Sequence, residues 1–148
     1  IFFVENLERM TEPETVAKVH KKIFTYSVLQ IKPNLYNAFS PGSNLDIFFS
    51  IIGAQPNETG QYDIDVSYEI LKEEETVVRY SEVKYLVPLI SQPVPLKKTV
   101  VVKTTKEDKT TEKKETRDLE EGMYTLIVDI KDNVSGKSLK KSINFEVR

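Results

Sequence analysis

The sequence predicts an all-β fold: an antiparallel β-sandwich of about seven to eight strands, with a short N-terminal strand and a helix or linker in front. Three observations predict it. Residues 119–147 read as two alternating strands joined by a turn. Residues 62–70 alternate cleanly, with Tyr62, Ile64, Val66, Tyr68 and Ile70 on one side and Asp63, Asp65, Ser67 and Glu69 on the other. Turn-forming residues recur at short intervals along the chain, the spacing of a sandwich rather than of long helices.

The C-terminal stretch carries the most specific signal. Tyr124, Leu126, Val128 and Ile130 point one way, while Thr125, Asp129 and Lys131 point the other. In the returning strand Leu139, Ile143, Phe145 and Val147 share a face. A period of two gives one buried face and one wet face, and a slip of one residue would put each apolar set in water. The turn between them, Asp132 to Lys137, is built of residues that tolerate turn dihedrals. Ahead of the hairpin, Leu119-Glu120-Glu121-Gly122-Met123-Tyr124 has the form L-x-x-G-x-Y. Gly122 permits a positive φ, Leu119 folds back as a plug, and the Tyr124 hydroxyl reaches the backbone just upstream. That is the form of the tyrosine corner of immunoglobulin-like and fibronectin-like sandwiches, with an ordinary hairpin of another all-β fold as the alternative.

In chain order, Ile1-Phe2-Phe3-Val4 is an apolar run that must pair as a strand or pack on the body. Thr11 and Glu14 suit a capping box with Pro13 in the first turn, so Glu12 to Lys21 reads as a short helix, with a linker as the alternative. Residues 1–23 are thus expected as an N-terminal extension and 24–148 as the sandwich. Phe24 to Ile31 reads as one strand, and Phe39 to Ser43 as a turn. Leu45 to Ile52 has bulk on both faces, as expected of a central strand or one covered by a neighbour. Glu73-Glu74-Glu75 is a charged turn leading to a partner strand over Thr76 to Glu82. Three prolines in Val83 to Pro95 make that segment a crossing or a broken edge strand. Leu96 to Thr104 is a strand, and Lys106 to Asp118, nearly all charge and threonine, is a solvated hairpin tip or exposed edge.

Composition excludes several chemistries. A net charge of -2 offers no basic stripe for nucleic acid. With no cysteine there are no disulfides or thiolate metal sites. No apolar run approaches the roughly 20 residues of a spanning helix. His20, the sole histidine, lies in a Lys-rich stretch and reads as a solvated group. No G-x-S-x-G elbow or glycine-rich phosphate loop is present. The pairs Asp63/Asp65 and Asp129/Asp132 are the acids a glycosidase or calcium site would use, though the wet face of a strand explains them more simply. Asn57-Glu58-Thr59 and Asn133-Val134-Ser135 match the glycosylation sequon. Phe48, Tyr80 and Tyr85 are the aromatics that would stack on sugar rings if they shared an outer face. No catalytic, cofactor-binding or metal residue is assigned, and the chain is expected not to be an enzyme.

One resemblance runs through Ile31-Lys32-Pro33, Phe39 to Phe49, Gly60 with Tyr62 to Tyr68, the L-x-x-G-x-Y motif, and Phe145-Glu146-Val147. This order resembles the β-sandwich modules of bacterial exported proteins found with the GWxTD domain, over Phe24 to Arg148. The Gly-Trp-x-Thr-Asp signature itself is missing, since the chain has no tryptophan. The resemblance implies a periplasmic or extracellular module of a larger bacterial protein, serving as structural spacer or protein-interaction unit. A chain beginning at Ile1 rather than Met reads the same way, as a piece of a longer protein. The expected partners are neighbouring domains or another protein, without nucleic acid or a membrane span. A carbohydrate-binding module, with a glycan ligand, is the alternative.

Overall fold

The computed structural model describes residues 1–9, 24–26, 29–106 and 109–148. Among them are thirteen strands and no helix: β1 (Phe2–Arg9), β2 (Phe24–Tyr26), β3 (Leu29–Pro33), β4 (Ala38–Phe39), β5 (Asn44–Ser50), β6 (Ile64–Lys72), β7 (Glu75–Arg79), β8 (Val83–Tyr85), β9 (Leu89–Pro95), β10 (Lys97–Lys106), β11 (Lys109–Asp118), β12 (Gly122–Asp132) and β13 (Ser138–Val147). One sheet has the order β2-β3-β1-β5-β9, and a second has β4-β13-β12-β6-β7 with β8 also on β6. The remaining two, β10 and β11, pair only with each other. All pairings are antiparallel except β4 on β13. The described residues are therefore all-β, with arrangements consistent with a sandwich.

Alternation in the sequence becomes a shared core. Leu45, Ile47 and Phe49 of one sheet and Val66, Leu126 and Val128 of the other belong to a single buried cluster. Burying each such side chain is worth about 1.5–3 kcal/mol, so these faces carry much of the fold's stability. At one end the sheets are joined by aromatic rings. Phe3 meets Phe39 at 5.3 Å and Phe145 at 6.0 Å, both edge to face. Tyr124 stacks on Phe145 at 5.6 Å.

The apolar N-terminal run pairs as the sequence required, and deep in the sheet. β1 lies between β3 and β5, with Phe3 opposite Ile47. Consecutive residues of a strand face opposite ways, so Phe3 enters the common core while Phe2 and Val4 face outward. There Val4, Ile31 and Phe48 form a second buried cluster. This explains the two-sided bulk of β5: it is an interior strand, and Phe48 is buried on the face away from the main core.

Several expectations change. Among the described residues thirteen strands replace the seven to eight expected, several of them short, such as β2, β4 and β8. Phe24 to Ile31 is not one strand but falls into β2 and the start of β3, which pair antiparallel. The proline-rich segment does both things foreseen for it. Val83–Tyr85 pairs with β6, the chain crosses, and Leu89–Pro95 becomes the edge of the other sheet. Pro93 and Pro95 sit on that edge, where a missing N–H costs no ladder bond. Leu139, expected on a buried face, is 49% exposed, because the first half of β13 runs past the core. The expected helix or linker of residues 12–21 lies outside the described residues.

Candidate functional site

The antiparallel register of β6 on β12 brings two of the predicted acids to the turn after β12. Asp65 lies opposite Lys131, and Ile64 lies opposite Asp132. Asn133 follows directly. Its amide donates to Asp63 Oδ1 at 3.1 Å and to Asp65 Oδ2 at 2.5 Å. Lys84, carried in by β8, donates to Asp63 Oδ1 at 2.5 Å and lies 3.5 Å from Asp65. Lys84 first, and Asn133 after it, hold the Asp63 carboxyl below its usual range, while Asp63 in turn raises the Lys84 ammonium. Hydrogen bonding to the charged form is the cause in both directions.

Asp132 is the buried charge among the described residues, at 5% exposure. Its carboxylate accepts from the Ser135 hydroxyl at 2.6 Å and from the backbone N–H of Gln55 at 3.0 Å and Val134 at 3.1 Å. The Ser135 hydroxyl, then the Gln55 N–H, lowers its pKa. These bonds pin the loop at Gln55 to the β12–β13 turn. Asp129 is not part of this arrangement. Its side chain is on the opposite face of β12, paired with Lys140 at 3.2 Å. The oxygens that sequence reading offered to a metal or a sugar are thus engaged by the chain's own donors. Among the described residues no group of three or more His, Cys, Asp or Glu could hold a metal ion. Asn57 is similarly engaged, its side-chain oxygen accepting from Thr59 and Gln61. His20 lies outside the described residues.

The three candidate aromatics do not share a face. Phe48 is buried on the outer side of its sheet. Tyr80 and Tyr85 are half-buried against the main core. The Tyr85 hydroxyl donates to Gln92 at 2.6 Å and lies 3.2 Å from the Tyr68 hydroxyl. Tyr80 donates to the Pro95 carbonyl at 2.5 Å, and burial pushes its pKa up to about 12.

Two surfaces stand out instead. The first is the β10–β11 ribbon. Each strand has ten residues, roughly 34 Å at strand rise. It is rooted by Leu96 and Leu119, which are 0% and 1% exposed, with the Leu119 N–H on the Leu96 carbonyl at 2.9 Å. Gly42 packs on the root with φ +77, and a Cβ there would meet the Asp118 carboxylate at 2.9 Å. Cross-strand pairs such as Lys103–Glu112 at 2.8 Å line its sides. The second surface is the outer edge of β13, next to the exposed Leu35 and Tyr36. Sequence reading missed this pair of residues. The clue was an apolar pair inside the Pro33-Asn34…Asn37 turn, where nothing could bury it.

Among the described residues, fold and surfaces define an all-β arrangement of two larger sheets and a two-stranded ribbon. Comparison with protein-family models, with curated proteins and with solved structures yields no match.

Proposed function

We propose that the chain is a non-catalytic, immunoglobulin-like sandwich module of a larger exported bacterial protein, working in the periplasm or outside the cell by holding protein partners or neighbouring domains in place. The observation that carries this reading is the ribbon. Two ten-residue strands that pair only with each other, on a root locked into the core, add to neither of the larger sheets. A two-stranded ribbon is marginal on its own, so a partner surface is its natural complement. The tyrosine corner at Tyr124, its hydroxyl 2.8 Å from the Glu120 carbonyl, supports the immunoglobulin-like assignment.

A photo-crosslinking amino acid at Val101, which is 51% exposed on the ribbon, tests the proposal in the full-length parent protein in cells. Crosslinks at Val101, with none at Glu58 on the far loop, are expected. Equal labelling at both positions, or turnover of ester, glycoside or peptide substrates by the purified module, would overturn it.

A further inference from the structure

We propose that the outer edge of β13 is a docking edge for an extended, acidic segment of another protein, added as a further strand; this rests on the interaction-module reading above. Among the described residues, β13 is paired beyond β12 only at Glu146 and Val147, through the two-residue β4. The Glu146 N–H bonds the Asn37 carbonyl and the Arg148 N–H bonds the Phe39 carbonyl. Even-numbered residues of β13 therefore turn their backbone groups away from β12. By the same alternation, Ser138, Lys140 and Ser142 present N–H and C=O groups to that side, where no described strand pairs with them.

This edge differs from the edge of the other sheet. β9 ends its pairing with prolines, which remove donors. β13 keeps its donors and is flanked by lysines. Lys131, Lys137, Lys140 and Lys141 lie at this end, and of these four only Lys140 has an ion pair among the described residues, with Asp129. Exposed apolar groups adjoin it: Leu139 on the strand, and Leu35 and Tyr36 just before Asn37. Asn37 itself donates to the Asn144 carbonyl at 3.2 Å, so the apolar pair sits at the end of the open stretch.

Main-chain bonds supply affinity in strand addition, and alternate side chains supply choice. On the inner side an added strand meets Leu139, the exposed Lys141 and the half-buried Ile143; on the outer side it meets Lys140 between Ser138 and Ser142. The fitting partner alternates apolar and acidic residues. A second copy fits badly, since antiparallel β13 edges would bring lysines of both chains together.

The probe is a capped eight-residue peptide alternating valine and glutamate, with a valine–lysine peptide as control, titrated against the intact chain by NMR. Expected are binding of the acidic peptide only, exchange protection of the Lys140 and Ser142 amides, and at least tenfold weaker binding for Lys140→Glu/Lys141→Glu. That variant leaves the backbone untouched; Ser142→Pro, which removes one outward N–H, should weaken binding as much if it folds. Absent binding at millimolar peptide, protection at other strands, or unchanged affinity in the charge-reversed variant would overturn the proposal. So would protection of Lys140 and Ser142 that rises with protein concentration alone, which would make the edge a self-pairing surface. Ribbon crosslinking at Val101 would still stand in each of these cases, so the two proposals fail separately.

Discussion

Tyr124 and Asp132 close the two ends of the β12 strand, each through a side-chain oxygen. The Tyr124 hydroxyl donates to the part-buried Glu120 carbonyl. Tyr124→Phe keeps the ring on Phe145 and removes only this bond, so it should cost about 1 kcal/mol in urea unfolding. Asp132 and Asp63 both have lowered pKa values, by the Ser135 hydroxyl and by Lys84 respectively. A lowered folded pKa gives stability that is present above the unfolded value, about 3.9, and lost as pH falls through the folded one. Asp46, raised by burial, works in the opposite sense. Asp132→Asn should therefore cost about 1–3 kcal/mol at neutral pH and flatten the loss of stability as pH falls below about 4. Urea midpoints across that range check both points.

At the scale of elements, the β6–β7 hairpin holds an unusual turn. Glu73 and Glu74 have φ of 51° and 68°, between Lys72 and its partner Glu75. Two successive left-handed residues make the two-residue turn that favours Asn-Gly, and left-handed backbone costs ordinary residues roughly 1–2 kcal/mol each. Glu73→Asn with Glu74→Gly should raise stability by about 1 kcal/mol and lessen repulsion among the three glutamates. An unchanged or lower melting temperature would show that the glutamates earn their place through contacts elsewhere. The charged turn itself was legible, since Glu73-Glu74-Glu75 interrupts two alternating runs. Its left-handed geometry was not, because no glycine or asparagine marks it.

For the whole molecule, β1 decides whether there is one sheet or two fragments. Phe3 and Val4 are 1% and 4% exposed, on opposite faces of a strand between β3 and β5. Deleting Ile1 to Val4 removes that strand's bridge and two core side chains. Phe3→Ala alone should cost about 3–5 kcal/mol, and the deletion should abolish the cooperative thermal transition. A truncated chain melting as the full one does would show β1 to be dispensable. The ribbon belongs to this scale too, because its root at Leu96 and Leu119 couples its position to the core.

The sequence by itself determined the local pattern: the alternation of β6 and β12, the L-x-x-G-x-Y corner, the edge character of the proline-rich strand, and the charge of the ribbon. Each follows from a period of two, from a positive φ or from a missing N–H, which a few neighbouring residues specify. Only the tertiary structure decided that β1 enters the middle of a sheet, that Phe24 to Pro33 falls into β2 and β3, and that Leu139 stays exposed although it follows the buried alternation. It also decided that Asn133 and Lys84 occupy Asp63 and Asp65. The reason is common to all of these. Which strands become neighbours, and how far each face is covered, depends on residues distant in sequence, and no local period carries that information.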